Sequence, residues 1–322
     1  MKRRTVIGGL AGASLLPLAS TSQSKVKAGD IPKRVFGKTG EKLTIIGLAS
    51  GRFHLTNSEE DAIALVQHAY DLGINYFDTA HSYGNGRSEM IYGKAMKSFR
   101  KNIFLTTKSN KRSRKEAEAE LDASLKSLQT DYLDLWQCHE VAKMEEVEKI
   151  FAPGGAYEAF EAAKKAGKCR FFGFTGHTDP EVHLALLKGS EKWETILMPL
   201  HIADPLYLSF EKQVLPIAVQ RGMGIQGMKS LANSKLLQTF SVKECLTYTL
   251  SLPIHCLTLG CTTIGQLEDD VRIAQNFKPM EPSQLAALNQ RATRIKGPLL
   301  EDWKKNIENK ISMLERPEYV GG

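Results

Sequence analysis

Four polar side chains stand where strand-like text in this chain runs out. Asp78 ends Asn75-Tyr76-Phe77-Asp78, and Lys108 ends Ile103-Phe104-Leu105-Thr106-Thr107-Lys108. His139 closes the run that begins Tyr132-Leu133-Asp134-Leu135, while Tyr83 sits in the loop after Asp78. A carboxylate, a phenol, an amine and an imidazole brought to one place can form an acid–base site. Taken singly, each has a duller role: Asp78 capping a loop, Lys108 solvated, His139 a satisfied interior histidine, Tyr83 packed in a turn. They act together only if their runs are neighbouring strands ending on one side. Helix-like text at Ser88–Phe99 and Arg114–Leu128 separates those runs. Strand, helix, strand, helix, strand is the grammar of a parallel sheet with crossover helices.

The pattern continues along the chain. A hairpin-like start around Val35 to Leu43 leads to strand text at Leu43–Leu48, then a helix over Ser58–Leu72, with Ser58 as N-cap and glutamates in the first turn. Later strands are expected at Cys169–Phe174, Thr195–Met198, Gly224–Met228 and Cys256–Gly260. Helices are expected over Ala156–Ala166, Pro180–Leu187, Phe210–Arg221, Val242–Leu250 and Gln266–Gln275, and a further C-terminal helix over Glu301–Leu314. Strands and helices alternating in this way predict a (β/α)8 TIM barrel, an α/β fold whose chemistry sits at the C-terminal mouth. No low-complexity linker divides the chain, so one barrel domain is expected over residues 29–322.

The 322 residues carry a formal charge of +7, but Lys2, Arg3, Arg4, Lys25 and Lys27 stand before Gly29 with no acid among them. The remainder is close to neutral, which argues for neither nucleic acid nor a membrane surface. Met1-Lys2-Arg3-Arg4-Thr5 followed by apolar Val6 to Ala19 describes an export signal, and the adjacent arginines resemble the twin-arginine type. Residues 1–28 are therefore expected to be a signal peptide read by export machinery, with the mature protein periplasmic; an ordinary secretory signal or an uncleaved anchor is the other possibility. No later apolar run is long enough to span a bilayer. The five cysteines, Cys138, Cys169, Cys245, Cys256 and Cys261, form no CxxC or Cys/His pattern, so no metal site is expected. They read as core thiols, and folding before export would reconcile them with an oxidising destination.

Phe77-Asp78-Thr79-Ala80-His81-Ser82-Tyr83-Gly84, Thr107-Lys108 and Asp131-Tyr132-Leu133-Asp134-Leu135 leading to His139 resemble the aldo-keto reductases. Gly173-Phe174-Thr175-Gly176 and Gly260-Cys261-Thr262-Thr263-Ile264-Gly265-Gln266-Leu267 extend the likeness, which runs from about Arg34 to about Phe277. The resemblance implies an oxidoreductase moving hydride between a nicotinamide cofactor and an aldehyde, ketone or sugar carbonyl. In that scheme Tyr83 is general acid and base, Lys108 lowers its pKa, Asp78 orients Lys108, and His139 places the substrate oxygen. His81 and Cys138 are assigned to packing or pocket lining.

No GxGxxG follows a strand, so a Rossmann site is not indicated. The resemblance instead implies cofactor contacts from Gly51, Arg52, Asp78, Thr175, Gly176, Met228, Lys229, Gly260, Thr262, Gln266, Asp269 and Asp270. Thr175-Gly176 replaces the family's Ser-Asn, Leu197 or Met198 replaces a glutamine, and Asp269-Asp270 replaces Glu-Asn. Two acids near the adenosine end would repel a 2′-phosphate, whereas Lys229 and Lys235 could compensate. NADP is expected by family, with NAD the close alternative and tight retention consistent with export. Two other readings remain at this level: a nucleotide-bound regulatory or binding subunit, and a barrel enzyme doing non-redox sugar chemistry. Specificity would come from the loops Gly51–Asn57, Val141–Gly155 and His201–Leu208, with Arg52, His54, Trp136 and His201 as pocket candidates.

Overall fold

The computed structural model describes residues 26–305. Two short strands, β1 (Lys33–Val35) and β2 (Lys42–Thr44), pair antiparallel as a hairpin. Then come β3 (Ile46–Ala49), α1 (Glu59–Asp71), β4 (Tyr76–Asp78), α2 (Arg87–Ala95), β5 (Phe104–Ser109), α3 (Arg114–Leu128) and β6 (Leu133–Cys138). The chain continues through α4 (Met144–Phe151), α5 (Ala156–Lys165), β7 (Cys169–Thr175), α6 (Pro180–Gly189), β8 (Thr195–Pro199), α7 (Phe210–Gln213) and α8 (Leu215–Gln220). It ends with β9 (Gly224–Met228), α9 (Val242–Ser251), β10 (Cys256–Leu259), α10 (Ile264–Gln275) and α11 (Pro282–Ala292). Strands β3 to β10 form a closed parallel barrel, β10 pairing β3 through Leu257 opposite Ile46.

Alternation along each strand divides the core. In β8, Ile196 and Met198 join the apolar layer between barrel and helices, which turns Thr195 and Leu197 inward. A second apolar cluster of Phe36, Leu43, Tyr76, Phe104, Leu135 and Cys256 unites hairpin and barrel residues, so the hairpin side of the barrel is plugged. The other end carries the strand C-termini. Among the described residues no helix is long and apolar enough to cross a membrane.

Several expectations shift. The strand anticipated at Leu43–Leu48 splits, Lys42–Thr44 staying with the hairpin and Ile46–Ala49 entering the barrel. The helix anticipated over Phe210–Arg221 breaks at Val214, because Pro216 lacks the N–H that would continue the first helix. The expected loop Val141–Gly155 contains α4, held by Glu146, which accepts from the backbone of Ala142 and Lys143. Of the helix expected over Glu301–Leu314, Glu301–Lys305 is turn and coil and the rest lies outside the described residues. The extra C-terminal helix is instead α11. Ser58 does cap α1, accepting from Asp61 N, and Gly167 takes φ +73° beyond the end of α5.

Candidate active site

The tetrad converges. Asp78 ends β4, Lys108 lies near the end of β5 and His139 follows β6, so three adjacent parallel strands deliver them to one mouth. Lys108 Nζ donates to Asp78 Oδ1 at 2.5 Å and to the Thr79 carbonyl oxygen at 2.7 Å. Burial pulls the Lys108 pKa down and Asp78 opposes it; burial pushes the Asp78 carboxyl up and Lys108 opposes that. The ammonium stands 5.1 Å from the centroid of the Tyr83 ring, and the His139 ring meets that ring edge-on at 5.5 Å.

The expected lowering of the Tyr83 pKa is not what this geometry produces. Burial, then the charges of Asp78 and Glu140, hold the phenol well above its ordinary value. The Lys108 cation lies over the ring face and is already matched by Asp78. His139 is held neutral, well below the usual imidazole range, by burial and by the nearby cations. Its Nδ1 contacts the Asn110 amide at 2.7 Å. The amide oxygen Oδ1 is the atom that faces Nδ1, so the neutral imidazole carries its proton on Nδ1 and leaves Nε2 as an acceptor.

Behind the tetrad runs a buried polar chain across the barrel. Gln137 Nε2 donates to Gln226 Oε1 at 3.1 Å, Gln226 Nε2 donates to Tyr76 Oη at 2.7 Å, and Tyr76 donates to Asp78 Oδ2 at 3.4 Å. Strands β6, β9 and β4 thus brace one carboxylate.

The proposed cofactor residues occupy the facing side. Gly51 and Arg52 follow β3, Met228 and Lys229 lie at the end of β9, and Gly260 and Thr262 follow β10. A Cβ on Gly51 would lie 3.5 Å from the Tyr83 ring, and one on Gly260 would lie 2.9 Å from Arg52 Cγ. Both glycines therefore keep a shallow cradle open. The α10 N-terminus adds backbone N–H groups, an N-cap at Thr263 and no acid in its first turn, which suits an anion. Arg52 and Lys229 add cationic side chains. These residues could hold a nucleotide at the mouth, with the α10 N-terminus, Arg52 and Lys229 supplying positive charge for its phosphates.

The acidic pair does not stand free. Asp269 pairs with Arg272 along the helix, while Asp270 receives the Cys261 Sγ contact and is pushed up to about 7 by burial and Asp269. Both contacts reduce the repulsion of a 2′-phosphate expected from two open carboxylates. Gln266 is also used locally, accepting from Thr262 N at 2.9 Å. Gly176 cannot be replaced by the family's asparagine: a Cβ there would sit 2.4 Å from the Val141 carbonyl oxygen. Thr175 is buried at the end of β7, and Leu197 and Met198 are both buried in β8.

Two pocket candidates are elsewhere. Trp136 is buried against Phe160 of α5, outside the barrel. His201 is fully buried, with Nε2 3.0 Å from Glu301. His201, Asp204 and Glu301 form a cluster of metal-ligand types, and the Lys304 ammonium lies among them, 2.6 Å from Asp204 and in contact with Glu301. This anchors the segment Glu301–Lys305 over the mouth, with Trp303 under the Lys229 ammonium at 4.9 Å. Arg52 and His54 are exposed at the rim, and His81 contacts buried Glu89. All five cysteines are buried and unbridged; burial raises Cys138 to about 11 and Cys169 and Cys245 to about 12.

Sequence reading passed over Asn110, Glu140 and His177. Asn110 lies two residues past Lys108 and Glu140 directly follows His139, so proximity was the available signal. Glu140 and Lys229 both adopt left-handed backbone, φ +52° and +58°, a strained state that clusters at working sites.

Comparison with known proteins agrees with this architecture. The curated relatives include the L-galactose dehydrogenase of Arabidopsis thaliana, 32% identical over 160 residues that cover 45% of this chain and 49% of the relative. The chain spans about half the length of the first curated relatives it matches. Among solved structures, the aldo-keto reductase AKR11C1 of Bacillus halodurans in its holo form superposes with a TM-score of 0.71 at 22% identity, covering 84% of this chain and 99% of that one. An aldo/keto reductase of Klebsiella pneumoniae in complex with NADP and acetate gives 0.64 at 21% identity, covering 80% and 94%. The model of the Aldo/keto reductase family matches residues 45–244, more than half of the chain, and the protein belongs to that family.

Proposed function

We propose that this protein is an NADP-dependent oxidoreductase that interconverts a small aldehyde, ketone or sugar carbonyl and its alcohol. The observation that carries this reading is the meeting of Asp78, Tyr83, Lys108 and His139 at one mouth, beside a cradle suited to a nucleotide. When bound, the nicotinamide supplies or takes the hydride. The chain handles the proton and the alignment. Tyr83, kept protonated by its surroundings, is the donor in reduction. A carbonyl oxygen that gains a hydride's electron pair is a far stronger base than phenolate, so a phenol of raised pKa still gives up its proton. Lys108, over the ring face, then stabilises the phenolate, with Asp78 holding the ammonium in place. His139, beside the Tyr83 ring, orients the oxygen, with Nε2 able to accept from the alcohol hydroxyl in the oxidation direction.

NADP is favoured over NAD by the cations Arg52 and Lys229, the acid-free start of α10 and the engagement of Asp269 and Asp270 by Arg272 and Cys261. That the Klebsiella relative holds NADP supports the same choice. We also propose that Arg3 and Arg4, which lie outside the described residues, direct export of the folded, nucleotide-loaded protein to the periplasm. Five buried, unbridged thiols support folding in a reducing compartment first.

The test is NADPH consumption with a panel of carbonyls by the wild type and by Tyr83→Phe. Loss of about 100-fold or more in kcat with nucleotide binding retained is expected; equal activity of the variant would sink the assignment. For export, fractionation of cells carrying Arg3→Lys with Arg4→Lys should find the protein retained in the cytoplasm, and native mass spectrometry of the exported wild type should find bound nucleotide.

A further inference from the structure

One carboxylate, that of Glu140, stands at the rim of the mouth beside His139. Glu140 follows His139 in a left-handed conformation, and its charge is felt by Tyr83, Lys108 and Lys229. The turn is held from several sides. His139 N donates to the Ser109 carbonyl oxygen and Val141 N to that of Thr175, at 2.8 and 3.0 Å. Arg112 Nη2 donates to the His139 carbonyl oxygen at 2.8 Å while its Nε engages Glu146 at 2.9 Å. Glu140 therefore has little freedom to swing away.

The carboxylate accepts from the Asn110 amide and feels the Lys229 and Arg112 charges, and keeps further lone pairs free to accept. Its nearest ion-pair contact is His177 Nε2 at 3.4 Å, and burial keeps that imidazole neutral. Arg112 is occupied by Glu146 and the loop backbone. The Glu140 side chain stays 28% exposed. The Asn110 amide stands alongside, on His139 Nδ1. A carbonyl group brings only acceptors to such a rim. A hydroxyl on the neighbouring carbon brings a donor for the carboxylate's remaining lone pairs. An ammonium-bearing ligand would bring donors too, but Lys108, Arg112 and Lys229 surround the rim with like charge.

Resting on the oxidoreductase reading above, we propose that Glu140, flanked by Asn110 and His177, is a specificity-determining residue that accepts a hydrogen bond from a hydroxyl beside the reacting carbonyl, so that the enzyme selects hydroxylated aldehydes and ketones over plain ones. The probe pair is glyceraldehyde and propionaldehyde, three-carbon aldehydes that differ in their hydroxyls. With NADPH, wild-type kcat/KM is expected to favour glyceraldehyde by about 10- to 100-fold. In Glu140→Gln the ratio should collapse to within about threefold, chiefly through KM for glyceraldehyde. Glu140→Gly, which accommodates the left-handed backbone without strain, should collapse it likewise. Turnover of both aldehydes with an unchanged ratio in folded variants overturns this assignment alone. Failure of the wild type to reduce either aldehyde overturns the oxidoreductase reading, and this assignment with it.

Discussion

Tyr76 Oη and Lys108 Nζ hold opposite oxygens of Asp78, at 3.4 Å and 2.5 Å. The carboxylate is thereby fixed in rotation as well as in charge, and Tyr76 is itself held by Gln226 from across the barrel. Tyr76→Phe would strip one donor from a buried carboxylate and leave Gln226 Nε2 without its acceptor. A loss of about 1 to 2 kcal/mol is expected, read as a lower melting temperature. If Tyr76 positions the ion pair, kcat should also fall roughly tenfold with KM little changed, and the pH profile should move. A stability loss with an unaltered pH profile would reduce Tyr76 to a packing role.

Lys229 should make nucleotide affinity depend on pH. Burial, then Arg52, brings its pKa down to about 8. The ammonium is present below that value and is lost as pH rises through it, so NADPH should bind most tightly near pH 7 and weaken toward pH 9.5. Lys229→Gln should weaken binding at pH 7 by about tenfold, the scale of one charge-assisted hydrogen bond, and flatten the dependence. Fluorescence titration across that range decides it.

Asp270 should cost stability at neutral pH and above. Its folded pKa of about 7 exceeds the ordinary carboxylate value, so the folded state binds more protons than the unfolded one between roughly pH 4 and 7. Stability contributed by the protonated carboxyl is present at the acid end of that window and is lost as pH rises through 7. Asp270→Asn should stabilise the protein at pH 8 by roughly 1 kcal/mol and remove this part of the pH dependence. Denaturant titrations at pH 5 and 8 measure both.

Lys304 supplies the positive charge in a buried cluster with Asp204, Glu301 and His201. Lys304→Met would leave two carboxylates without their cation, a loss of about 3 kcal/mol or more where a buried pair is broken. The strap Glu301–Lys305 can release while the barrel persists. Hydrogen exchange should therefore quicken over residues 299–305 before global melting changes.

The barrel and its tetrad were legible because both rest on local signals. Apolar runs of strand length, separated by helical text, set the order of elements, and a polar residue at a strand end stays at that end whatever else the chain does. The caps at Ser58 and Gly167 belong to the same class, since their partners lie within a few residues. What the sequence alone determined was therefore that the four residues of the tetrad reach one mouth. Asn110, Glu140 and His177 beside them, and the burial of Trp136 and His201 away from it, were left to the fold. Tertiary structure decided what the four meet there. Gln226 reaches Tyr76 across 150 residues of chain, and Lys304 reaches Asp204 across 100. Such pairs exist only once the barrel has closed. The same holds for charge: Asp269 and Asp270 are adjacent in sequence, yet helix geometry leaves one exposed on Arg272 and turns the other against Cys261. The Tyr83 pKa follows that rule, because burial and the position of Lys108 over the ring, rather than the presence of a lysine in the chain, set where its proton stays.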